Sequence, residues 1–155
     1  MLRGTNKFEK HIGKIVDLIQ KHKPGIHLSV EVFSRDVNEI LKQARHFTKV
    51  FGYSSLSIKI HIGWNELEII NKLNQEEISV NCTCNMTIPQ GIMAAGAGAG
   101  YVSFFWGRIR DGGGNPEYVL ENIRRIFNQC YPDSQIIAGS MRSVTDIVDA
   151  GLAGA

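Results

Sequence analysis

Leu56-Ser57-Ile58-Lys59-Ile60-His61-Ile62 alternates without a break, with leucine and isoleucine at the even positions and Ser57, Lys59 and His61 at the odd ones. A period of two places successive side chains on opposite faces of a strand, so this strand has one apolar and one polar face. Neighbouring segments repeat the pattern. Leu28, Val30 and Val32 oppose His27, Ser29 and Glu31, while Val80, Cys82 and Cys84 oppose Ser79, Asn81, Thr83 and Asn85. A fourth segment sets Val102, Phe104 and Trp106 against Ser103 and Phe105, and a fifth, Gln135 to Gly139, runs into Ser140 and Arg142.

Helical spacing separates these strands. Asn6 and Glu9 read as a capping pair ahead of Phe8, Ile12, Ile15 and Ile19, and Pro24-Gly25 ends that helix. Val37, Ile40, Leu41, Ala44 and Phe47 mark a second helix, closed by Gly52. Further helices are expected near Asn65 to Leu73, Pro89 to Ala97, Pro116 to Phe127 and Val144 to Ala150, with a Gly-rich loop after Trp106. Gly96-x-Gly98-x-Gly100 follows a helix and precedes a strand, the reverse of a dinucleotide fingerprint, and reads as a helix stop with a tight turn.

Regular strand-helix alternation implies right-handed crossovers and a parallel sheet. In an open doubly wound sheet both faces are covered and the strands read as nearly continuous apolar runs, which these do not. A helix-covered outer face and a polar interior describe an α/β fold of the parallel (β/α)8 TIM-barrel type. Such a barrel needs eight strands and typically about 250 residues. Five βα units in 155 residues therefore predict that residues 1–155 form one partial barrel domain, missing the first two strands and the last strand and helix. An unclosed sheet exposes strand edges and apolar area, so the chain is expected to self-associate.

Composition excludes several classes. Apolar residues at 43% and charged residues at 21% exclude a disordered or fibrous chain. The net charge is 17 − 15 = +2 with the charges scattered, so nothing requires nucleic acid. No apolar run approaches the roughly 20 residues of a membrane helix, and the opening residues show no secretory signal. Three cysteines are odd in number and suit a reduced cytoplasm.

Lys59 is the first candidate for chemistry. It stands mid-strand between two isoleucines and shares the interior with Glu31 and Thr83. Desolvation favours a neutral amine, the form that attacks a carbonyl to make a Schiff base. A structural Lys59–Glu31 ion pair is the alternative. On the same face Glu31 is a candidate to shuttle a proton and Thr83 to orient a water, with mere packing polarity as the alternative for either, and Asn81 is a candidate to hold substrate hydroxyls. Arg108, Ser140 and Arg142 stand just past the fourth and fifth strands, where barrels bind anions, the alternative being three solvated residues at strand ends. Cys82 and Cys84 both fall on the outward face with no second ligand pair, which argues against metal. His61, inward and two residues after Lys59, is read as an interior histidine or a tuner of the lysine.

Val80-Asn81-Cys82-Thr83, Gln90-Gly91 and the run Ala97 to Arg108, with Val30-Glu31-Val32, Ile58-Lys59-Ile60 and Ala138 to Arg142 in matching order, resemble the transaldolase family, in particular its small subfamily with the fructose-6-phosphate aldolases. The resemblance implies a Schiff-base role for Lys59, with Glu31 as acid/base through a water that Thr83 positions. It assigns Asn81, Ser103 and Phe105 to the substrate, and Arg108, Ser140 and Arg142 to its phosphate. It implies no metal and no organic cofactor, sugar-phosphate substrates, no nucleic-acid or membrane partner, a cytoplasmic location, and a homo-oligomer for the full-length protein. Glu31, Asn81 and Phe105 resemble transaldolases more than the aldolase branch. The implied reaction is transfer of a dihydroxyacetone unit from fructose 6-phosphate to an aldose phosphate in the pentose phosphate pathway, with aldolase-type cleavage or non-catalytic sugar-phosphate binding as alternatives. His61, Gly63, Phe104 and Met141 depart from the residues usual in the family, and the family's aspartate-bearing first strand is expected to be missing here.

Overall fold

The computed structural model describes residues 5–155, with side chains from Lys7 onward, so the cap read at Asn6 lies outside the described residues. Helix α1 (Thr5–His22) leads into five repeats: β1 (Leu28–Glu31) and α2 (Val37–Phe51), β2 (Leu56–His61) and α3 (Trp64–Gln75), β3 (Val80–Asn85) and α4 (Ile88–Gly96), β4 (Tyr101–Phe105) with α5 (Trp106–Asp111) and α6 (Pro116–Cys130), and β5 (Gln135–Gly139) with α7 (Val144–Leu152). All pairings are parallel and the strand order is β1-β2-β3-β4-β5. Each strand adds to the same edge, with none of the order reversal that sends helices to both faces of a doubly wound sheet. The result is an incomplete α/β barrel.

Helices cover only the outer face. Val30, Ile58, Ile60, Val80, Cys82, Val102 and Phe104 point outward and are buried against Ile40 and Phe47 of α2, Ile69 and Leu73 of α3, and Leu120, Ile123 and Phe127 of α6. Each such aliphatic or aromatic side chain contributes about 1.5–3 kcal/mol by leaving water. Local signals set the helix ends. Asp36 accepts from the Glu39 amide at the start of α2, and Gly52 closes it at φ 52°, its N–H donating to the Thr48 carbonyl. Thr87 and Gln90 form a capping box on α4.

The structure differs from the sequence reading at three places. β1 ends at Glu31 rather than running on through Val32, and the Phe33 amide donates to Gln43 Oε1 instead of continuing the ladder. Trp106 does not extend β4; it opens α5, which occupies part of the expected Gly-rich loop and drives the indole fully into the core. Six residues are too few for a helical period to show in sequence. The third difference, a bulge in β3, alters the site and is described below.

Among the described residues, no helix is long and apolar enough to cross a membrane. On α7, Val144, Ile147, Val148 and Leu152 share one face and are 56–84% exposed. β1 and β5 each pair on one side only among the described residues. The chain is therefore expected to self-associate in dilute buffer. Light scattering checks this, and a monodisperse monomer contradicts it.

Candidate active site

Register builds the site. Glu31 pairs with Lys59 and Lys59 with Asn81, so one lateral row of the inner face carries a carboxylate, an amine and an amide from β1, β2 and β3. One step further along the strands, His61 pairs with Thr83. Lys59 Nζ lies 3.7 Å from Glu31 Oε2. Lys59 is less enclosed than the sequence implied, with 30% of its side chain exposed and 60% of that of Glu31, because β1 has no further strand beside it among the described residues. Thr83 is buried and its Oγ1 has no hydrogen-bond partner. Leaving a buried hydroxyl unmet costs about 1–3 kcal/mol, so this one is suited to a water or a substrate oxygen.

Beneath this row a polar network crosses four strands. Ser103 Oγ donates to Asn81 Oδ1 at 2.7 Å, and Asn81 Nδ2 donates to Ser29 Oγ at 2.9 Å. Ser29 and Ser57 are 2.9 Å apart, and His27 Nε2 lies 2.7 Å from Ser57 Oγ. The His27 ring stacks on Tyr101 with centroids 3.6 Å apart. Burial lowers the His27 pKa, which favours the neutral ring able to accept from Ser57. Both ends of the Asn81 amide are thereby engaged, leaving one N–H free for a ligand.

At Cys84 the backbone turns to φ 65° and the register with β4 slips between Cys82 and Asn85. A bulge inserts one residue and exchanges the faces beyond it. This corrects two expectations. Asn85 leaves the polar interior and is buried on the helix side, where its Nδ2 donates to the carbonyls of Cys82 at 2.8 Å and Ser103 at 3.2 Å. Cys84 leaves the outward face and joins Glu31, His61 and the loop 32–35 in lining an open cleft of about 500 Å³. Burial raises the pKa of both thiols, that of Cys82 to about 12, so neither is an activated nucleophile. Among the described residues no cluster is fit to hold a metal ion.

The cleft lies at the carboxyl ends of β1, β2 and β3, where barrel enzymes place their chemistry. His61 stands at its mouth, with Nε2 3.3 Å from Glu66 Oε1. Glu66 is in the first turn of α3 with only 13% of its side chain exposed. Gly63 makes the room: a Cβ there would fall 2.1 Å from Glu66 Oε2. Arg35, from the β1–α2 loop, also faces the cleft. Neither the His61–Glu66 pair nor Arg35 was recognisable as a unit in the sequence, though the glycine beside a histidine was visible.

At the other end of the sheet, Phe105 closes β4 with its ring over Gly139. Ser140 follows β5 at φ 61°, and its carbonyl packs against Gly107 of α5. Arg142 and the α5 turn that bears Arg108 are thus neighbours. Arg108 is exposed, and Arg142 Nη2 is held 2.5 Å from Asp111 Oδ2. A buried carboxylate that sequence reading missed organises this loop. Asp146 accepts from Arg110 Nη1 and Nη2 at 2.8 and 3.1 Å, from the Arg142 amide at 2.8 Å and from the Ser143 amide at 3.2 Å. Ser143-x-x-Asp146 is a capping-box spacing and was the available signal.

The Arg110 guanidinium holds the Asp146 carboxyl well below its ordinary value of 3.8. A depressed folded-state pKa stabilises the fold above the unfolded value, and that contribution is lost as pH falls below it. Between about pH 5 and about pH 2 the native chain is expected to lose more stability than Asp146→Asn. Urea midpoints at the two pH values check this, and parallel losses contradict it.

A protein-family model described as Transaldolase/Fructose-6-phosphate aldolase matches residues 7–155. A "Probable transaldolase" of Lactiplantibacillus plantarum is 34% identical over 153 residues, covering 99% of this chain and 67% of the relative. Those of Bartonella bacilliformis and Thermoplasma volcanium are 34% and 32% identical over 143 and 152 residues, covering 91% and 98% of this chain and 65% of each relative. The chain thus spans about two thirds of the length of these relatives. Among solved structures, a mandelate oxidase superposes with a TM-score of 0.65 at 17% identity, over 93% of this chain and 49% of that one. A likeness at that identity concerns the fold alone.

Proposed function

Because the chain belongs to the transaldolase/fructose-6-phosphate aldolase family, we propose that it carries the Schiff-base centre of a transaldolase and is one domain, part of a larger eight-stranded barrel. The observation that carries the reading is the Lys59 amine 3.7 Å from the Glu31 carboxylate, one register step from the unpartnered Thr83 hydroxyl. Lys59 Nζ attacks the ketose carbonyl carbon, and the carbinolamine loses water to give an iminium. Glu31 moves the protons of that step through a water held by Thr83. Asn81, Ser103 and Phe105 meet the sugar, and Arg108, Ser140 and Arg142 its phosphate.

The iminium then draws the electron pair of the adjacent carbon–carbon bond, releasing an aldose phosphate and leaving a dihydroxyacetone unit on Lys59. Transfer to a second aldose phosphate, such as erythrose 4-phosphate, reverses the step. A cytoplasmic pentose phosphate pathway enzyme acting on sugar phosphates, and forming a homo-oligomer when complete, fits this chemistry. The test is intact mass after incubation with fructose 6-phosphate and borohydride. A covalent gain on Lys59 supports the reading; no gain overturns it in favour of a binding-only segment.

A further inference from the structure

The polar network beneath the lateral row has a direction. Ser103 Oγ donates to Asn81 Oδ1 at 2.7 Å and Asn81 Nδ2 donates to Ser29 Oγ at 2.9 Å, which fixes the way the amide faces. Having accepted that N–H, Ser29 must place its own hydroxyl proton, and its acceptors are Ser57 Oγ at 2.9 Å and His27 Nε2 at 3.3 Å. Ser57 Oγ lies 2.7 Å from the same Nε2. By either route the last proton ends on Nε2, the one member of the cluster that can accept with no hydroxyl proton of its own to place. The recorded orientation of Asn81 therefore requires a lone pair on Nε2. Ser57, Asn81 and Ser103 are buried, so bulk water does not substitute for these bonds, and the ring is held flat against Tyr101 with centroids 3.6 Å apart.

Resting on the reading in which Asn81 meets the sugar, we propose that His27 is a positioning residue: the lone pair on its Nε2 ends a hydrogen-bond chain, through Ser57 and Ser29, that sets which way the Asn81 amide faces. Protonating the ring turns Nε2 from acceptor into donor. Nε2–H then donates to Ser57, Ser57 to Ser29 and Ser29 to Asn81, an order that pairs fully only if the amide reverses, with Oδ1 towards Ser29 and Nδ2 towards Ser103. The amide N–H left for a sugar hydroxyl then points to the opposite side. Ser57, Ser29 and Tyr101 face the ring; of these only Tyr101 titrates, and no charged group shifts the ring, whose pKa burial lowers from 6.5. Sugar binding is thus strongest while the ring is neutral and weakens as pH falls through a value below 6.5.

The test compares the full chain with His27→Gln, whose side-chain oxygen accepts from Ser57 and whose amide does not titrate. Nitrogen NMR of chains labelled at histidine and asparagine follows both residues from about pH 8 to about pH 5. The Asn81 side-chain amide is expected to shift with the midpoint of the His27 ring and to stay in place in His27→Gln. In parallel, the fructose 6-phosphate concentration that half-saturates the borohydride-trapped adduct is expected to rise on acidification about tenfold more in the unsubstituted chain than in His27→Gln, the loss of about one hydrogen bond to the sugar. Lys59 and Glu31 are the same in both chains, so their own titration cancels in the comparison. An Asn81 amide that ignores the titration of His27, or the same rise in both chains, overturns the role of His27 and leaves Lys59 standing. No adduct in either chain overturns the Schiff-base reading, and the Asn81 signals alone then decide the role of His27.

Discussion

Lys59→Ala is expected to abolish the borohydride-trapped adduct altogether while leaving the fold intact. Lys59 is part-exposed and its Glu31 partner largely exposed, and ion pairs in such surroundings are worth about 0–1 kcal/mol. Removing the amine therefore costs little stability, and Glu31 is left in water rather than stranded in the core. The chemical effect is total, because no other group in the lateral row is a nucleophile towards a carbonyl: Asn81 is an amide with both ends engaged, and Glu31 is an acid. Lys59→Arg is the sharper control. It keeps the charge beside Glu31, yet a guanidinium does not form the iminium, so it too is expected to give no adduct. Intact mass and urea midpoints are read together. An adduct that survives either substitution removes Lys59 from the mechanism.

Gly107→Ala is expected to cost about 1–3 kcal/mol of stability and to weaken binding of phosphorylated sugars about tenfold. A Cβ at this position would sit 2.4 Å from the Ser140 carbonyl oxygen, 2.8 Å from Arg142 Nε and 3.2 Å from Arg142 Cγ. The nearest atom is backbone, in a loop already pinned by Asp146 through the Arg142 and Ser143 amides, so it cannot swing aside as a side-chain end would. Alanine is the better helix former by about 1 kcal/mol, but that gain is smaller than the overpacking cost. The loop must move away from α5, taking Ser140 and Arg142 with it and separating Arg142 from Asp111. Urea midpoints and titration with fructose 6-phosphate check the two effects. Unchanged values for both would show that α5 and the loop are not rigidly coupled.

The lateral row of Glu31, Lys59 and Asn81 was legible in the sequence because each residue lies on the polar side of a period-two strand, and parallel pairing then brings the three side by side. The same rule failed within β3. Alternation assumes extended backbone at every residue, and Cys84 at φ 65° breaks it, so Cys84 and Asn85 were assigned to the wrong faces. The loop after β5 was legible only in part. Ser140 and Arg142 are visible at a strand end, but their partners are not: Asp111 is 31 residues from Arg142 in the chain, and Arg110 is 36 from Asp146. His61 was recognisable as inward-facing, whereas its pairing depends on the carboxylate of α3 fitting over Gly63, a close approach that no spacing rule reports.

The sequence by itself determined the strand-helix alternation, the one-sided burial that selects a barrel-type sheet over a doubly wound one, and the strand positions of Lys59 and Glu31. These follow from the local periods of side-chain direction, 2 for strands and 3.6 for helices. Only the tertiary structure decided which way Cys84 and Asn85 point, which carboxylate restrains Arg142, that Trp106 begins a helix, and that His61 has Glu66 beside it. Those outcomes depend on contacts between residues distant in the chain and on single backbone angles, and the periodic pattern of apolar and polar residues carries neither.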